Sequence, residues 1–143
     1  MSAFVLDCSV ALAWAFIDEV SDYADAAMAE LTAGGAAVVP GLWKLEVANA
    51  LLTAERRGRA TAAQCDAMLS FLGELSITET TRPTDAERVL ALAREATLSA
   101  YDASYLQLAR AEQLPLATLD AKLRDAAGAQ GVATWRPTSG AAP

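Results

Sequence analysis

The chain has 143 residues, of which 54% are hydrophobic and 20% are charged, and it carries a formal net charge of −7. This composition excludes an intrinsically disordered chain and is typical of one globular domain with a sizeable core. The sequence contains no histidine, which excludes a histidine general base, a Ser-His-Asp triad and a His-ligated zinc site.

The sequence also lacks the features of a membrane or secreted protein. No apolar run approaches the roughly 20 residues that cross a bilayer, and the N-terminus lacks a basic flank and a cleavage site. We therefore expect a cytoplasmic protein with no membrane partner. Cys8 and Cys65 form neither a metal-ligand pattern nor a disulfide framework, so we expect both to be core residues.

Short apolar runs alternate with segments of helical periodicity along the chain. Ser21 and Thr61 are predicted N-caps, and glycines follow several helices. In chain order the predicted elements are a strand at Ala3–Leu6, helices at Ser9–Phe16 and from Ser21 to the glycines at 34 and 35, a strand at Ala36–Pro40, helices at Leu42–Arg57 and Thr61–Gly73, a strand at Leu75–Thr80, helices at Thr84–Thr97 and Ser99–Gln113, a strand at Leu114–Leu119, a helix at Ala121–Ala129 and a strand at Gly131–Trp135.

Strands that alternate with helices predict an α/β fold with a parallel sheet covered on both faces. We assign residues 1–136 to this one domain and residues 137–143, which are small or Pro/Gly-rich, to a flexible tail. In such sheets ligands bind beyond the carboxyl ends of the strands. Acids that follow strands, or that begin helices at that edge, are therefore the candidates for a site.

Three acids meet this criterion. Asp7 directly follows the first strand, and Asp120 follows the strand "LATL" in the same way. Asp102 lies one turn into a helix that Ser99 can cap, and it shares a helix stripe with Leu106. Each acid alone could be a turn residue or a helix cap, because carboxylates are favoured near helix N-termini.

Glu46 is the fourth candidate. Apolar residues such as Leu42, Leu45 and Leu52 surround it and predict a mostly buried helix. Glu46 and Asn49 lie three residues apart, so both polar groups project from one side of this helix. On a buried helix they need partners, either a metal ion or a hydrogen-bond network.

Taken together, these four acids come from separate elements and map to one edge of the predicted sheet. Without neutralisation such a cluster would repel itself and raise its own pKa values. A bound divalent cation removes this repulsion, and carboxylate oxygens suit Mg²⁺ or Mn²⁺. Such ions generate a hydroxide and stabilise an in-line displacement at phosphorus.

Four motifs carry a resemblance to a known family. They are "LDCSVALAW", "LEVANALL", "LSAYDASYLQLA" and "LATLDAKLRDAA", and the likeness runs from Val5 to Trp135. In this order and spacing they resemble the PIN-domain ribonucleases of the VapC toxin type. The resemblance implies a PIN-like three-layer α/β/α sandwich on a mainly parallel sheet, and a Mg²⁺- or Mn²⁺-dependent endoribonuclease that cuts RNA. It also implies a homodimer that a small antitoxin protein silences.

The resemblance assigns roles to individual residues. It makes Asp7, Glu46, Asp102 and Asp120 an acidic quartet, hereafter the quartet, that is catalytic and binds metal. Asp7 and Asp102 would be direct ligands, with Glu46 and Asp120 bound directly or through water. The supporting residues that it implies are the hydroxyls of Ser9 and Thr118 and the amide of Asn49.

Charge and surface features leave two questions open. A net charge of −7 suits RNA poorly, although Arg56, Arg57 and Arg59 could hold phosphates or simply form a basic helix C-terminus. Four large apolar residues could be core, or could line a groove for an antitoxin helix whose basic end reaches the quartet: Trp14, Phe16, Leu42 and Trp43.

Two other classes of protein share some of these features. A receiver domain would need paired acids after the first strand and a lysine after a late strand, but a single acid follows the first strand and Asp120 follows "LATL". A PIN fold kept only as a binding or scaffold module is the second alternative, and the complete quartet argues against it. Metal-dependent RNA cleavage marks the enzyme, and acetyl-phosphate labelling of an aspartate marks the receiver.

Overall fold

The computed structural model describes residues 2–16 and 18–138. The observed elements are β1 (Ala3–Leu6), α1 (Cys8–Ala15), α2 (Asp22–Thr32), β2 (Ala36–Val39), α3 (Leu42–Arg56), α4 (Ala62–Glu74), β3 (Ile77–Glu79), α5 (Ala86–Ala96), α6 (Ala100–Glu112), β4 (Leu116–Ala117) and α7 (Ala121–Ala129). Both proposed caps are confirmed, since the Ser21 hydroxyl accepts from Ala24 N at 3.1 Å and Thr61 forms a capping box with Gln64.

The sheet has the strand order β3-β2-β1-β4, and all of its pairings are parallel. In the register, Val5 pairs with Val38 on one side and with Leu116 on the other. All four carboxyl ends therefore lie at one edge, with β1 in the centre. The predicted α/β/α sandwich with a parallel sheet is confirmed.

The core is built around the central strand. Phe4, Val5 and Leu6 are fully buried because helices cover both faces of β1. Near its amino end, Trp135 packs on Phe4 at 4.8 Å between ring centroids, and the Tyr23 hydroxyl donates to Trp135 O at 2.7 Å. The last described residues are thereby anchored to β1.

Two details differ from the sequence prediction. The strand expected at Gly131–Trp135 is only a parallel bridge between Leu116 and Thr134, because β4 has two residues and offers one bonding position. The helix expected to be mostly buried, α3, buries a single stripe that includes Trp43, Val47 and Leu51. Its Leu45 is 74% exposed.

Two further predictions concern the chain termini and the membrane. The predicted tail falls largely on residues 139–143, which lie outside the described residues. In the described ranges no helix combines the length and the apolar character that crossing a membrane requires.

Candidate functional site

Asp7 is the most deeply buried of the four acids. It ends β1 and stands at the N-cap position of α1, yet its side chain makes no capping bond there. Instead its Oδ2 atom accepts from the Ser9 hydroxyl at 2.6 Å and from the Thr118 hydroxyl at 2.8 Å. Only 5% of Asp7 is exposed. A helix cap therefore does not explain this acid.

The two hydroxyls that serve Asp7 are themselves held by the backbone. Ser9 Oγ accepts from Leu119 N at 3.0 Å, and Thr118 Oγ1 accepts from Asp120 N at 3.0 Å. Each hydroxyl accepts a hydrogen bond from a backbone amide through its oxygen, so its single proton remains available to donate to Asp7. The network ties the end of β1 to the residues that follow β4.

Glu46 projects from α3 toward α6. The hydroxyl of Tyr105, a fully buried residue of α6, donates to Glu46 Oε1. Burial raises the pKa of Tyr105, which keeps this hydroxyl protonated as the donor. The sequence reasoning missed Tyr105. The available signal was a tyrosine inside the Asp102 motif, because a buried tyrosine hydroxyl needs a polar partner.

Asp102 and Asp120 both lie near the start of a helix, but only Asp120 is an N-cap. The side chain of Ser99 caps α6 by accepting from Asp102 N at 3.0 Å, so Asp102 is not the cap. Asp120 does cap α7, by accepting from Leu123 N at 3.2 Å. Capping therefore accounts for part of the role of Asp120. Asp102 is not a cap, although its place in the first turn of α6 is one that favours a carboxylate.

The pKa values of three acids report on their surroundings. Burial raises the pKa of Asp7, which the charge of Asp120 raises further while the two hydroxyl bonds oppose both effects. Burial also raises the pKa of Glu46, with added repulsion from Asp7 and Asp102. The pKa of Asp102 is raised by burial and then by Asp7 and Asp120, and the nearby Lys122 opposes the rise. Each acid thus senses others of the quartet across the same edge of the sheet.

The donors at this edge fit a hard divalent cation in kind. They are carboxylate oxygens from Asp7, Glu46, Asp102 and Asp120, the ligands that Mg²⁺ and Mn²⁺ prefer. As the side chains stand, no three acids or thiols within residues 2–16 and 18–138 are close enough to enclose an ion. Like charges repel and three of the acids are turned toward their own hydrogen-bond donors, so a cation would have to draw these carboxylates together.

Two further residues with polar side chains, Asn49 and Cys8, lie beside the acids. Asn49, predicted as a supporting amide, is exposed on α3. Its side chain makes no hydrogen bond to the described residues. Cys8 is half-buried, and burial together with the charges of Asp7 and Glu46 raises the pKa of its thiol. A protonated thiol is a poor nucleophile. This agrees with the expectation that Cys8 is a core residue and not a reactive thiol.

The basic cluster after α3 is partly structural. The Arg59 guanidinium stacks over the Phe16 ring at 4.4 Å and hydrogen-bonds Asp18 at 3.0 Å. This arginine therefore holds together the segments that follow α1 and α3. Arg56 and Arg57 are exposed at the end of α3. Elsewhere, Lys44 pairs with Glu79 at 3.2 Å on the surface.

Of the four large apolar residues considered above, one is buried and three are half-buried. Trp43 belongs to the core, with 5% of it exposed, and Leu42 packs against that core. Trp14 and Phe16 line an open cavity of about 550 Å³ between α1, α2 and α4, together with Val20, Met28 and Phe71. We call this cavity the α1–α4 groove.

Comparisons with known proteins agree with this architecture. A family model described as PIN domain matches residues 4–129. The crystal structure of PAE2754 from Pyrobaculum aerophilum is similar, with a TM-score of 0.67 and 27% sequence identity, over 87% of this chain and 79% of that one. So is VapBC2 from Rickettsia felis bound to a DNA fragment from their promoter, with a TM-score of 0.58 and 15% identity, over 84% of this chain and 88% of that one. At 15% identity the likeness shows the fold alone. No curated protein sequence matches the chain.

Proposed function

Because the chain belongs to the PIN domain family, whose members are generally nucleases, we propose that it is a metal-dependent endoribonuclease that acts in the cytoplasm. The observation that carries the proposal is the setting of Asp7. The Asp7 carboxylate is buried at a strand end, accepts hydrogen bonds from two hydroxyls and is coupled by charge to Asp120, Glu46 and Asp102. Such a carboxylate is costly to maintain for structure alone. PIN domains typically use divalent metal ions.

The quartet residues are those that would hold the cation. A bound Mg²⁺ or Mn²⁺ would supply a metal-activated water and charge stabilisation at the phosphate. Ser9 and Thr118 hold one oxygen of Asp7 in place, and the other oxygen accepts no bond from them. Tyr105 orients Glu46 in the same manner. Lys122, near Asp102, brings a positive charge that an RNA phosphate can approach.

The proposal is tested by cleavage of a labelled single-stranded RNA. Wild type should cut with Mg²⁺ or Mn²⁺ and stop when the metal is chelated. Asp102→Asn should be inactive, because the amide keeps the size of the side chain and loses the charge that holds the cation. Asp66→Asn, which removes an exposed acid of α4, is the matched control and should be fully active.

The scaffold alternative predicts another outcome. If wild type cuts no RNA with either metal although it is folded, the PIN fold serves here as a binding module and the nuclease proposal is wrong. Phosphorylation of an aspartate by acetyl phosphate would instead support the receiver alternative.

We further propose that the protein is the toxin of a toxin–antitoxin pair. The Rickettsia felis structure with a similar fold is a VapBC2 assembly on its promoter DNA. The α1–α4 groove offers apolar side chains, among them Trp14, Phe16 and Phe71, that suit the apolar face of a partner helix. An arginine or lysine at the end of the antitoxin segment would reach the quartet and replace the charge of the metal.

Binding of the antitoxin, encoded by a short neighbouring reading frame, tests this second proposal. Phe71→Ala should weaken binding, and Leu69→Ala on the same helix is the control, because Leu69 is similarly exposed and does not line the groove. Asp102→Asn should also weaken binding by removing the target of the basic residue. If neither Phe71→Ala nor Asp102→Asn weakens binding, the groove is not the inhibitory site.

The homodimer is proposed from the family resemblance. Leu45 and Leu52, both exposed on α3, are apolar side chains that a subunit interface could cover. Size determination by light scattering should give twice the chain mass of 14.9 kDa, and a monomer at micromolar concentration would contradict the proposal.

A further inference from the structure

Tyr101 is an exposed aromatic residue directly beside an acid of the quartet. It precedes Asp102 in the first turn of α6, and 69% of it is exposed. Within the described ranges, Phe71 is the other aromatic residue with more than a third of its surface exposed, and it lies in the α1–α4 groove. No packing of the protein itself explains a solvated phenol ring at this point.

Helix geometry puts Tyr101 between two features. At 100° per residue, Tyr101 lies about 40° from Tyr105 on one side and about 60° from Ser104 on the other. Tyr105 donates to Glu46 at the acid site. Ser104 donates to the carbonyl oxygen of Tyr101 at 2.6 Å and lines a separate cavity. On the surface of α6, Tyr101 therefore lies between Tyr105 on the side of the quartet and Ser104 on the side of that cavity.

The cavity behind Tyr101 has a volume of about 520 Å³, within the range of about 300 to 1,000 Å³ that is usual for ligand pockets. It lies between α6 and the segment that leads from β3 to α5. We call it the α5–α6 cavity. Polar side chains that can donate or accept hydrogen bonds line much of its wall, namely Thr80, Arg82, Thr84, Arg88, Ser104 and Gln107.

The charges of this wall favour a nucleobase over a bare phosphate. Arg82 is paired with Glu112 at 2.7 Å, and Arg88 is paired with Asp85 at 3.3 Å. The carboxylates of Glu79 and Asp85 also line the cavity, so its wall carries as many acids as arginines and offers no net positive charge to an anion. Paired arginines, hydroxyls and the Gln107 amide can still hydrogen-bond the edges of an uncharged base.

We infer that Tyr101 and the α5–α6 cavity bind single-stranded RNA next to the phosphate that is cut, with one base stacked on the Tyr101 ring and the adjoining base in the cavity. This inference rests on the proposed endoribonuclease function. Stacking on an exposed ring is how proteins commonly hold an unpaired base, and it tolerates any base. The cavity would then supply base preference through its hydrogen-bonding groups.

Steady-state cleavage of a labelled single-stranded RNA tests the stacking role. Tyr101→Leu should raise KM about 5- to 100-fold, as expected when one stacked base is lost, with kcat unchanged within about twofold. Tyr101→Phe should keep the wild-type KM because it keeps the ring. Leu90→Ala, which trims an exposed side chain of α5 outside the cavity wall, is the control and should behave as wild type.

A pool of RNA oligonucleotides randomised around the cut tests the cavity. Gln107→Leu should change the base preferred at one position beside the cut and leave the others alone, a shift that a loss of folding stability does not produce. Wild-type KM in Tyr101→Leu together with wild-type base preference in Gln107→Leu would overturn the inference. So would a Tyr101→Leu protein that loses dimer or antitoxin affinity but keeps its KM, since the surface would then bind protein.

Failure of the nuclease proposal can be separated from failure of this one. Fluorescence anisotropy of a labelled RNA measures binding to wild type and to Tyr101→Leu without any cleavage. If wild type binds RNA but cuts none, the nuclease proposal fails, and a weaker affinity of Tyr101→Leu still supports the RNA surface. Equal affinities of the two proteins overturn it.

Discussion

The quartet has two halves that are held in different ways. The strand half is Asp7 and Asp120, which come after β1 and β4. Hydroxyl bonds from Ser9 in the first turn of α1 and from Thr118 just after β4 converge on one buried oxygen of Asp7. The helix half is Glu46 and Asp102, on α3 and α6. There a single hydroxyl serves Glu46, and Asp102 is half-buried among the charges of neighbouring residues.

This difference separates folding from function. The strand half forms as part of the sheet, so its network contributes to stability and to the geometry of the site together. The helix half lies on α3 and α6 and is repelled by the charge of Asp7. Only the Tyr105 hydroxyl and Lys122 oppose this repulsion, which costs stability until a cation or a basic partner arrives. Substitutions in the strand half should therefore lower both stability and activity. Substitutions in the helix half should lower activity without lowering stability.

The largest expected effect is on activity, and it should be shared by both halves. Asp7→Asn and Asp102→Asn should each lower kcat/KM for RNA. The loss should exceed the roughly 10- to 100-fold that is typical when a residue that hydrogen-bonds to a metal ligand is substituted. The assay is cleavage at saturating Mn²⁺ with circular dichroism as a check of folding. Substantial activity in either variant would show that this acid is not a ligand of the proposed metal ion.

The next effect should be confined to the strand half. Thr118→Val keeps the shape of the side chain but removes a donor to Asp7 and the acceptor of Asp120 N. We expect the free energy of unfolding to fall by about 1 to 3 kcal/mol, since buried charged and amide groups lose a partner. Chemical denaturation measures it, with Thr78→Val, an exposed threonine of β3, as control. Equal stability of Thr118→Val and wild type would mean that water replaces the hydroxyl.

Tyr105→Phe should act on the helix half through metal affinity. The variant keeps the buried ring and removes the hydroxyl that orients Glu46, so Mn²⁺ affinity should fall about 10-fold or more. Calorimetric titration with Mn²⁺ measures this change. Tyr23→Phe is the matched control, because its buried hydroxyl donates to Trp135 O and bonds none of the four acids. Equal losses in the two variants would point to a general loss of packing instead.

The smallest effect should be a gain of stability in Asp102→Asn without metal. Burial and the charges of Asp7 and Asp120 raise the pKa of Asp102 above its ordinary value of 3.8. The folded state therefore binds this proton more tightly, and the stability that the group contributes is present below its unfolded pKa and is lost as pH rises through the folded pKa. At pH 7.5 the variant should melt about 1 to 3 °C higher than wild type.

The same melting experiment at lower pH tests whether the charge of Asp102 causes the difference in melting temperature. Below the unfolded pKa, both the aspartic acid and the asparagine are neutral, so the difference in melting temperature should vanish. A constant difference at all pH values would show that packing, and not charge, separates the two proteins.

The parts of this molecule that local sequence determines were predictable. The apolar run at Ala3–Leu6 and the caps Ser21 and Thr61 depend on neighbours within a few residues, and the structure confirms them. The strand expected at Gly131–Trp135 depended on pairing with β4, which has two residues and lies on the other side of α7. A local pattern carries no information on the length of such a partner.

The same limit applies to the site. That Asp7 and Asp102 lie toward the same edge follows from the parallel sheet and from their places after a strand and at a helix start. The bond from Tyr105 to Glu46 joins residues 59 positions apart, and the burial of Trp43 depends on which face of α3 meets the sheet. Both follow from tertiary packing, which amino-acid spacing alone does not encode.

The hydrogen bond between Thr118 and Asp7 can form only late in the synthesis of the chain. The two residues are 111 positions apart, so during synthesis the ribosome has made most of the chain before Asp7 can meet its second donor. The pairing of β1 with β4 is equally late, and such distant pairings are slow to form. A nascent chain that ends before Thr118 therefore cannot complete the hydrogen bonds around Asp7.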